Sequence, residues 1–89
     1  MRFPVPIPVR VLAERFQALQ VIGDAGLSAT GINEIHKVEP GDIAFSDVKK
    51  YFQPTLDSAA TVIFLNEAAE CPPGKAILVL EAPFSAYDT

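Results

Sequence analysis

The sequence predicts a small α/β domain with a mixed β-sheet and helices packed on the faces of that sheet. Two continuous runs of mainly β-branched and aliphatic residues, 61–65 and 76–80, are typical of strands that helices cover on both sides. An amphipathic helix precedes them, and short strand patterns separated by glycine and proline turns lie between. With 89 residues, of which 49% are hydrophobic and 20% charged, we expect a single domain over 1–89.

The first half of the chain predicts an extended opening, one helix and three short strands. Prolines at positions 4, 6 and 8 keep their predecessors out of the helical region, and Pro8 suits the first position of a helix. That helix has an apolar stripe at i, i+3, i+4 and i+7, formed by Val9, Leu12, Ala13 and Phe16. Glycine turns and the Pro40-Gly41 pair separate the three strands, which are 19–22, 29–35 and 43–45.

The second half predicts a broken helix, the two buried strands and a last helix. Ser46 and Asp47 are good N-cap residues, so 48–52 is expected to form a helical turn that Pro54 interrupts. A second turn over 55–60 leads into the first aliphatic run. A Cys-Pro-Pro-Gly break at 71–74 separates the two runs, and Pro83 begins a short helix over 84–89.

Composition excludes several classes of function. Seven basic residues against eleven acidic ones give a net charge of −4, whereas nucleic-acid binders carry a basic surplus. No apolar run approaches the ~20 residues that span a bilayer. The prolines near the start break any signal-peptide core, so we expect the cytoplasm. A single cysteine, Cys71, excludes an internal disulfide and a cysteine-based zinc cage.

The residue inventory predicts no catalytic residue, metal or cofactor in this chain. His36 is the only histidine, and its neighbourhood offers no nucleophile beside a general base. Cys71 has no basic neighbour before Lys75, so we expect an unreactive thiol. The glycines do not form a phosphate-binding pattern, and no metal-ligand spacing occurs.

An aromatic and polar cluster remains between Phe45 and Tyr51. Phe45 ends a predicted strand and Tyr51 lies about one turn into the next helix, so a strand-to-helix corner can aim both rings at one gap. A planar base would stack between two such rings. The structural alternative is that Phe45 belongs to the core and Tyr51 packs on its helix.

The sequence around this cluster resembles the N-terminal domain of UDP-3-O-(3-hydroxyacyl)glucosamine N-acyltransferases, which act in lipid A biosynthesis in the cytoplasm of Gram-negative bacteria. The resemblance rests on the stretch Pro40-Gly41-Asp42-Ile43-Ala44-Phe45, on Lys50-Tyr51 and on Ser58-Ala59-Ala60-Thr61-Val62 in register. Val21-Ile22-Gly23-Asp24 and 82–87 also fit, so it covers nearly the whole chain. It implies a fold similar to the N-terminal domain of Mur ligases.

The resemblance implies a uridine-binding module in which Phe45 and Tyr51 sandwich the uracil. The family pattern between the rings is Phe-x-x-Asn-Pro-Lys-Tyr, and its asparagine hydrogen-bonds the base. This sequence has Val48 and Lys49 where asparagine and proline stand in the family. Asp47 could replace the acceptor half of that asparagine, and Lys50 is a candidate phosphate neighbour.

The resemblance also implies that acyl transfer belongs to a following left-handed β-helix of hexapeptide repeats, which trimerises and holds the catalytic histidine. No hexapeptide repeat occurs in these residues, so we expect an N-terminal domain without its catalytic domain. The expected partners are UDP-3-O-acyl-glucosamine, through its uridine, and acyl carrier protein only through the missing domain. Two alternatives remain: an interaction domain that has lost uridine binding, and the UDP-sugar-binding domain of a Mur ligase.

Overall fold

The computed structural model describes residues 2–33, 37–46 and 48–81, which form six strands, two α-helices and one 3-10 helix. In chain order the strands are β1 (Arg2–Pro8), β2 (Gln20–Gly23), β3 (Ser28–Ile32), β4 (Asp42–Ser46), β5 (Val62–Leu65) and β6 (Ala76–Val79). The helices are α1 (Val9–Arg15) and α2 (Phe52–Leu56), and the 3-10 helix Lys49–Tyr51 leads directly into α2.

The six strands form one mixed sheet in the order β1-β3-β4-β5-β6-β2. Strands β3, β4, β5 and β6 are parallel, and the two edge strands are antiparallel to their neighbours. This confirms the predicted mixed α/β fold. It also places the carboxyl ends of four parallel strands along one edge of the sheet.

The two helices cover opposite faces of this sheet. Alternate residues of β5 and β6 supply the two cores, which explains why both strands are buried throughout and why their sequences are continuously apolar. The α1-side cluster joins Val9 and Leu12 of α1 to Val62, Phe64, Ala76 and Leu78. The α2-side cluster joins Phe52 and Leu56 of α2 to Ile63, Leu65, Ile77 and Val79.

The extended opening forms an edge strand, which the sequence did not predict as part of the sheet. β1 pairs with β3, and the register shifts between Arg2 and Ile7. A proline cannot donate a ladder hydrogen bond, so a strand with prolines at 4, 6 and 8 fits only at an edge. Pro8 is the N-cap of α1 and not its first residue, because its backbone is still extended at ψ 146°.

The connection from β2 to β3 shows that the sheet is curled. In a flat sheet the four strand intervals between them would span about 19 Å. Residues 24–27 must cover this distance, yet they form a turn in which the N–H of Leu27 donates to the Asp24 carbonyl at 3.3 Å. Even fully extended, this connection would reach only about 17 Å. Leu27 also continues the pairing of β3 with β1, since its carbonyl accepts the Val9 N–H at 2.9 Å, one position beyond the Pro8–Ser28 pair.

The prediction that Pro54 interrupts the second helix is wrong. Pro54 lies in the first turn of α2, where its missing N–H costs nothing because first-turn N–H groups have no partner within the helix. The N-cap of the 3-10 helix is Val48, without a side-chain capping bond. Ser46, a predicted N-cap residue, is instead the last residue of β4, and Asp47 lies outside the described residues. Residues 58–60 lie beyond the end of α2.

The other bounds agree with the sequence analysis within one or two residues, except at the end of β3. The predicted strand 29–35 ends at Ile32, and its positions 34 and 35, like His36, lie outside the described residues. The predicted last helix over 84–89 also lies outside them. In the part of the chain that is described, no helix is both long and apolar enough to cross a membrane.

Candidate functional site

The candidate site lies where the chain leaves the carboxyl end of β4. In open α/β sheets, ligands bind beyond the carboxyl ends of the parallel strands. From Ser46 the chain passes through Val48 and the 3-10 helix to α2, which covers one face of the sheet. The predicted aromatic and polar cluster occupies this corner.

A serine hydroxyl shapes the corner. The side chain of Ser46 is buried, and its Oγ donates to the Val48 carbonyl at 3.1 Å. The N–H of Val48 in turn points at Ser46 Oγ, at 3.4 Å. These contacts join the end of β4 to Val48, and the 3-10 helix begins at Lys49, three residues after the last residue of the strand.

Tyr51 presents its ring to solvent at the end of the 3-10 helix, with 52% of its surface exposed. Its backbone is anchored on both sides. Its N–H donates to the Val48 carbonyl at 2.9 Å, and its carbonyl accepts the Thr55 hydroxyl at 2.7 Å. The Nζ of Lys50 lies 5.0 Å from the ring centroid, in a cation–π contact.

Phe45 has a different environment from Tyr51. Its half-buried side chain packs against the α1-side cluster, on the same face as Ile43 of β4. Tyr51 immediately precedes α2, which covers the opposite face. The structure thus places both rings near the carboxyl end of β4, one packed on the core and the other at the surface. The uracil clamp stays a prediction.

The remaining predicted site residues border Tyr51. Val48 is 44% exposed, and its backbone holds Tyr51 in place. Lys50 is exposed and reaches over the ring. Asp47 lies outside the described residues. The corner therefore presents an aromatic face, a cation and a small apolar side chain, which suits a planar anionic ligand.

A second polar cluster, around Lys75, was not predicted from the sequence. Lys75 Nζ donates to the carbonyl of Leu56 at 2.6 Å and to that of Ser58, at the carboxyl end of α2. Burial lowers the pKa of Lys75, while Asp57 and Cys71 act in the opposite direction. The only sequence signal is a lysine directly before a buried strand. Its role is structural, because it binds the last carbonyls of a short helix.

Cys71 lies beside this lysine. Its Sγ lies 3.2 Å from the Lys75 carbonyl oxygen and 3.4 Å from that of Pro72, so its single S–H can donate to either. Burial raises the pKa of the Cys71 thiol, and the charge of Lys75 offsets only part of that rise. The thiol is therefore protonated at neutral pH, which does not suit a nucleophile.

A third cluster holds the amino end of β4. The buried carboxylate of Asp42 accepts hydrogen bonds from Asn33 Nδ2 and from the N–H of Glu39, both at 2.9 Å. These bonds fix the turn that precedes β4 against the end of β3. Among the described residues, no three histidine, cysteine or acidic side chains are close enough together to hold a metal ion.

Comparison with known proteins adds no assignment, since no family model and no curated protein matches this chain.

Proposed function

We propose that this chain is a uridine-nucleotide recognition domain that holds the uridine of UDP-3-O-acyl-glucosamine for an N-acyltransferase of lipid A biosynthesis. The observation that carries the proposal is the exposed Tyr51 ring at the carboxyl end of β4, six residues after Phe45 and in contact with Lys50. An exposed aromatic ring beside a cation is the combination that stacks a base and attracts its phosphate.

Stacking supplies most of the expected affinity. A base on an aromatic face gains about 1–3 kcal/mol. Tyr51 offers the larger accessible surface, because Phe45 packs against the α1-side cluster and is only partly exposed. Since a millimolar dissociation constant corresponds to roughly 4 kcal/mol, we expect uridine nucleotides to bind in the millimolar range.

The chemical step belongs elsewhere in this proposal. Acyl transfer from acyl carrier protein to the sugar amine would take place in a trimeric β-helix domain outside this chain, in the cytoplasm. The present domain would position the nucleotide end of the substrate. Its protonated, partly buried Cys71 fits a domain that binds and does not catalyse.

A second candidate is an interaction domain that has lost uridine binding. Two observations favour it. Val48 is exposed where the acyltransferases that the sequence resembles have the base-reading asparagine, and Phe45 packs on the core. An exposed valine beside a tyrosine could contact a partner protein as well as a base.

An NMR titration of the whole chain with UMP tests the proposal. We expect amide shifts concentrated at 45–51 with millimolar affinity, and a clear loss of affinity in Tyr51→Ala. Leu19→Ala is the matched control, because Leu19 is 70% exposed and lies outside the candidate site. Shifts confined to another region, or equal affinities in Tyr51→Ala and the wild type, would contradict the proposal.

A further inference from the structure

The contact between Lys50 and Tyr51 has a consequence for ligand binding. The Lys50 ammonium lies 5.0 Å from the centre of the Tyr51 ring, and both side chains are exposed. A base stacked on a ring lies within van der Waals contact, at about 3.5–4 Å. A base and the Lys50 ammonium therefore cannot occupy the same face of Tyr51 together.

Displacing the ammonium has a cost that depends on the ligand. A cation–π contact at an exposed site contributes about 0.5–1 kcal/mol, which corresponds to a factor of about two to five in an equilibrium constant. A neutral nucleoside that stacks on this face must overcome this factor without compensation. A nucleotide brings a phosphate, to which a lysine on its flexible stem can form a charge-assisted hydrogen bond.

Resting on the proposed function, we infer that Lys50 covers one face of Tyr51 in the free protein and moves to the phosphate when a base takes its place. The site thereby selects uridine phosphates over uridine. Lys50 is a specificity-determining residue in this mechanism, because it opposes stacking of neutral ligands and supports binding of anionic ones. Its distance from the ring and the exposure of both side chains carry the inference.

The ligand-free protein provides the first test. Because Lys50 Nζ lies 5.0 Å from the centre of the Tyr51 ring, the NMR signals of the protons on the adjacent Cε should be shifted upfield relative to those of exposed Lys49. The shift should disappear in Tyr51→Ala and on saturation with UMP. A wild-type Lys50 signal equal to that of Lys49 would overturn the inference, whereas the UMP titrations of the wild type and Tyr51→Ala would still decide the proposed function.

The second test compares uridine with UMP in the wild type, Lys50→Gln and Lys37→Gln. Lys37→Gln is the control, because it removes the same charge from an exposed position outside the candidate site. In Lys50→Gln we expect uridine to bind about two- to fivefold more tightly and UMP to bind more weakly. The preference for UMP should then fall by about threefold or more.

The outcomes separate the two proposals. If Lys50→Gln and Lys37→Gln change uridine and UMP binding alike, the shielding role of Lys50 is wrong while uridine recognition stands. If neither ligand shifts the amides at 45–51 in the wild type, the uridine site itself is wrong, and the inference fails with it.

Discussion

In the proposed uridine site, Val48 occupies the position from which a side chain would read the base. Its side chain is 44% exposed beside Tyr51, and only its backbone takes part in the hydrogen bonds of the corner. An asparagine there can keep these backbone bonds. Its amide can also donate to a uracil carbonyl and accept from the ring N3–H, neither of which valine can do.

We therefore expect Val48→Asn to improve the preference for UMP over CMP. One added hydrogen bond contributes about 1 kcal/mol, which corresponds to a preference of about fivefold. Parallel NMR titrations with UMP and CMP measure it, and Tyr51→Ala should weaken both ligands alike because every base can stack. Equal preferences in the parent and in Val48→Asn would show that position 48 does not contact the base.

Because the pKa of the Cys71 thiol is raised in the folded chain, we expect the stability of the protein to depend on pH. Burial raises its pKa above the ordinary value of 9.0 in the folded chain. The folded state then holds the thiol proton more tightly than the unfolded state does. The resulting contribution to the free energy of unfolding is complete below pH 9.0 and is lost as the pH rises through the folded-state pKa. Lys75 has a lowered pKa in the folded chain, so its contribution to the free energy of unfolding instead rises as the pH approaches 10.5.

Removing the thiol isolates its part of this dependence. Between about pH 8 and about pH 10, the free energy of unfolding should fall more, or rise less, in the wild type than in Cys71→Ala. Urea unfolding under reducing conditions at both pH values measures the difference. If the change in free energy is the same in the two proteins, the thiol pKa is not shifted by folding.

At the scale of the elements, α2 is held by its surroundings and not by its own helical tendency. A helix of five residues is far too short to be stable alone. Phe52 and Leu56 bury its inner side, and Lys75 binds the carbonyls of Leu56 and Ser58 at its end. Because the 3-10 helix leads directly into α2, the position of Tyr51 depends on these contacts.

Lys75→Met should therefore destabilise the protein by about 1–3 kcal/mol, since hydrogen bonds from a charged group are lost and the helix carbonyls remain partly buried. Lys37→Met, at an exposed position, should change stability by less than about 0.5 kcal/mol. Urea denaturation compares the two. Equal effects would mean that Lys75 does not hold the end of α2.

The elements that the sequence predicts are those with a local pattern. The aliphatic runs of β5 and β6 and the apolar stripe of α1 reflect burial that each element imposes on its own residues. The pairing of β1 with β3 is not local, so the proline-rich opening indicated only an extended chain. Pro54 misled the prediction because a proline breaks helices only beyond the first turn.

In the candidate site, too, the local features can be predicted from the sequence, and those that depend on distant residues cannot. The spacing of Phe45 and Tyr51 follows from the sequence. The face on which Phe45 lies depends on the register of β4 against β5, in which Phe45 is paired with Phe64. The contact of Lys75 with Leu56 joins residues 19 positions apart, and no sequence period indicates it.

At the scale of the whole molecule, the two cores share the same strands. Neighbouring residues of β6 point to opposite faces, so Ile77 belongs to the α2-side cluster and Leu78 to the α1-side cluster. Both side chains are fully buried. If the packing on one face of β6 is lost, the hydrogen-bonded pairing of the strand with its neighbours is disturbed as well, and with it the packing on the other face. The two clusters are therefore coupled into one folding unit.

Ile77→Ala and Leu78→Ala test this coupling. Each removes a buried aliphatic side chain, so each should destabilise by about 2–5 kcal/mol, a large part of the roughly 5–15 kcal/mol that holds a domain together. Because the strands are shared, both variants should still unfold in one transition. Urea unfolding followed by the NMR methyl signals of Leu12, on the α1 side, and of Leu56, on the α2 side, measures this. Both signals should disappear at the same urea concentration in each variant. A Leu78→Ala protein that loses the native Leu12 signal while keeping that of Leu56 would show instead that the two faces fold independently, and the Tyr51 corner would then depend on the α2 side alone.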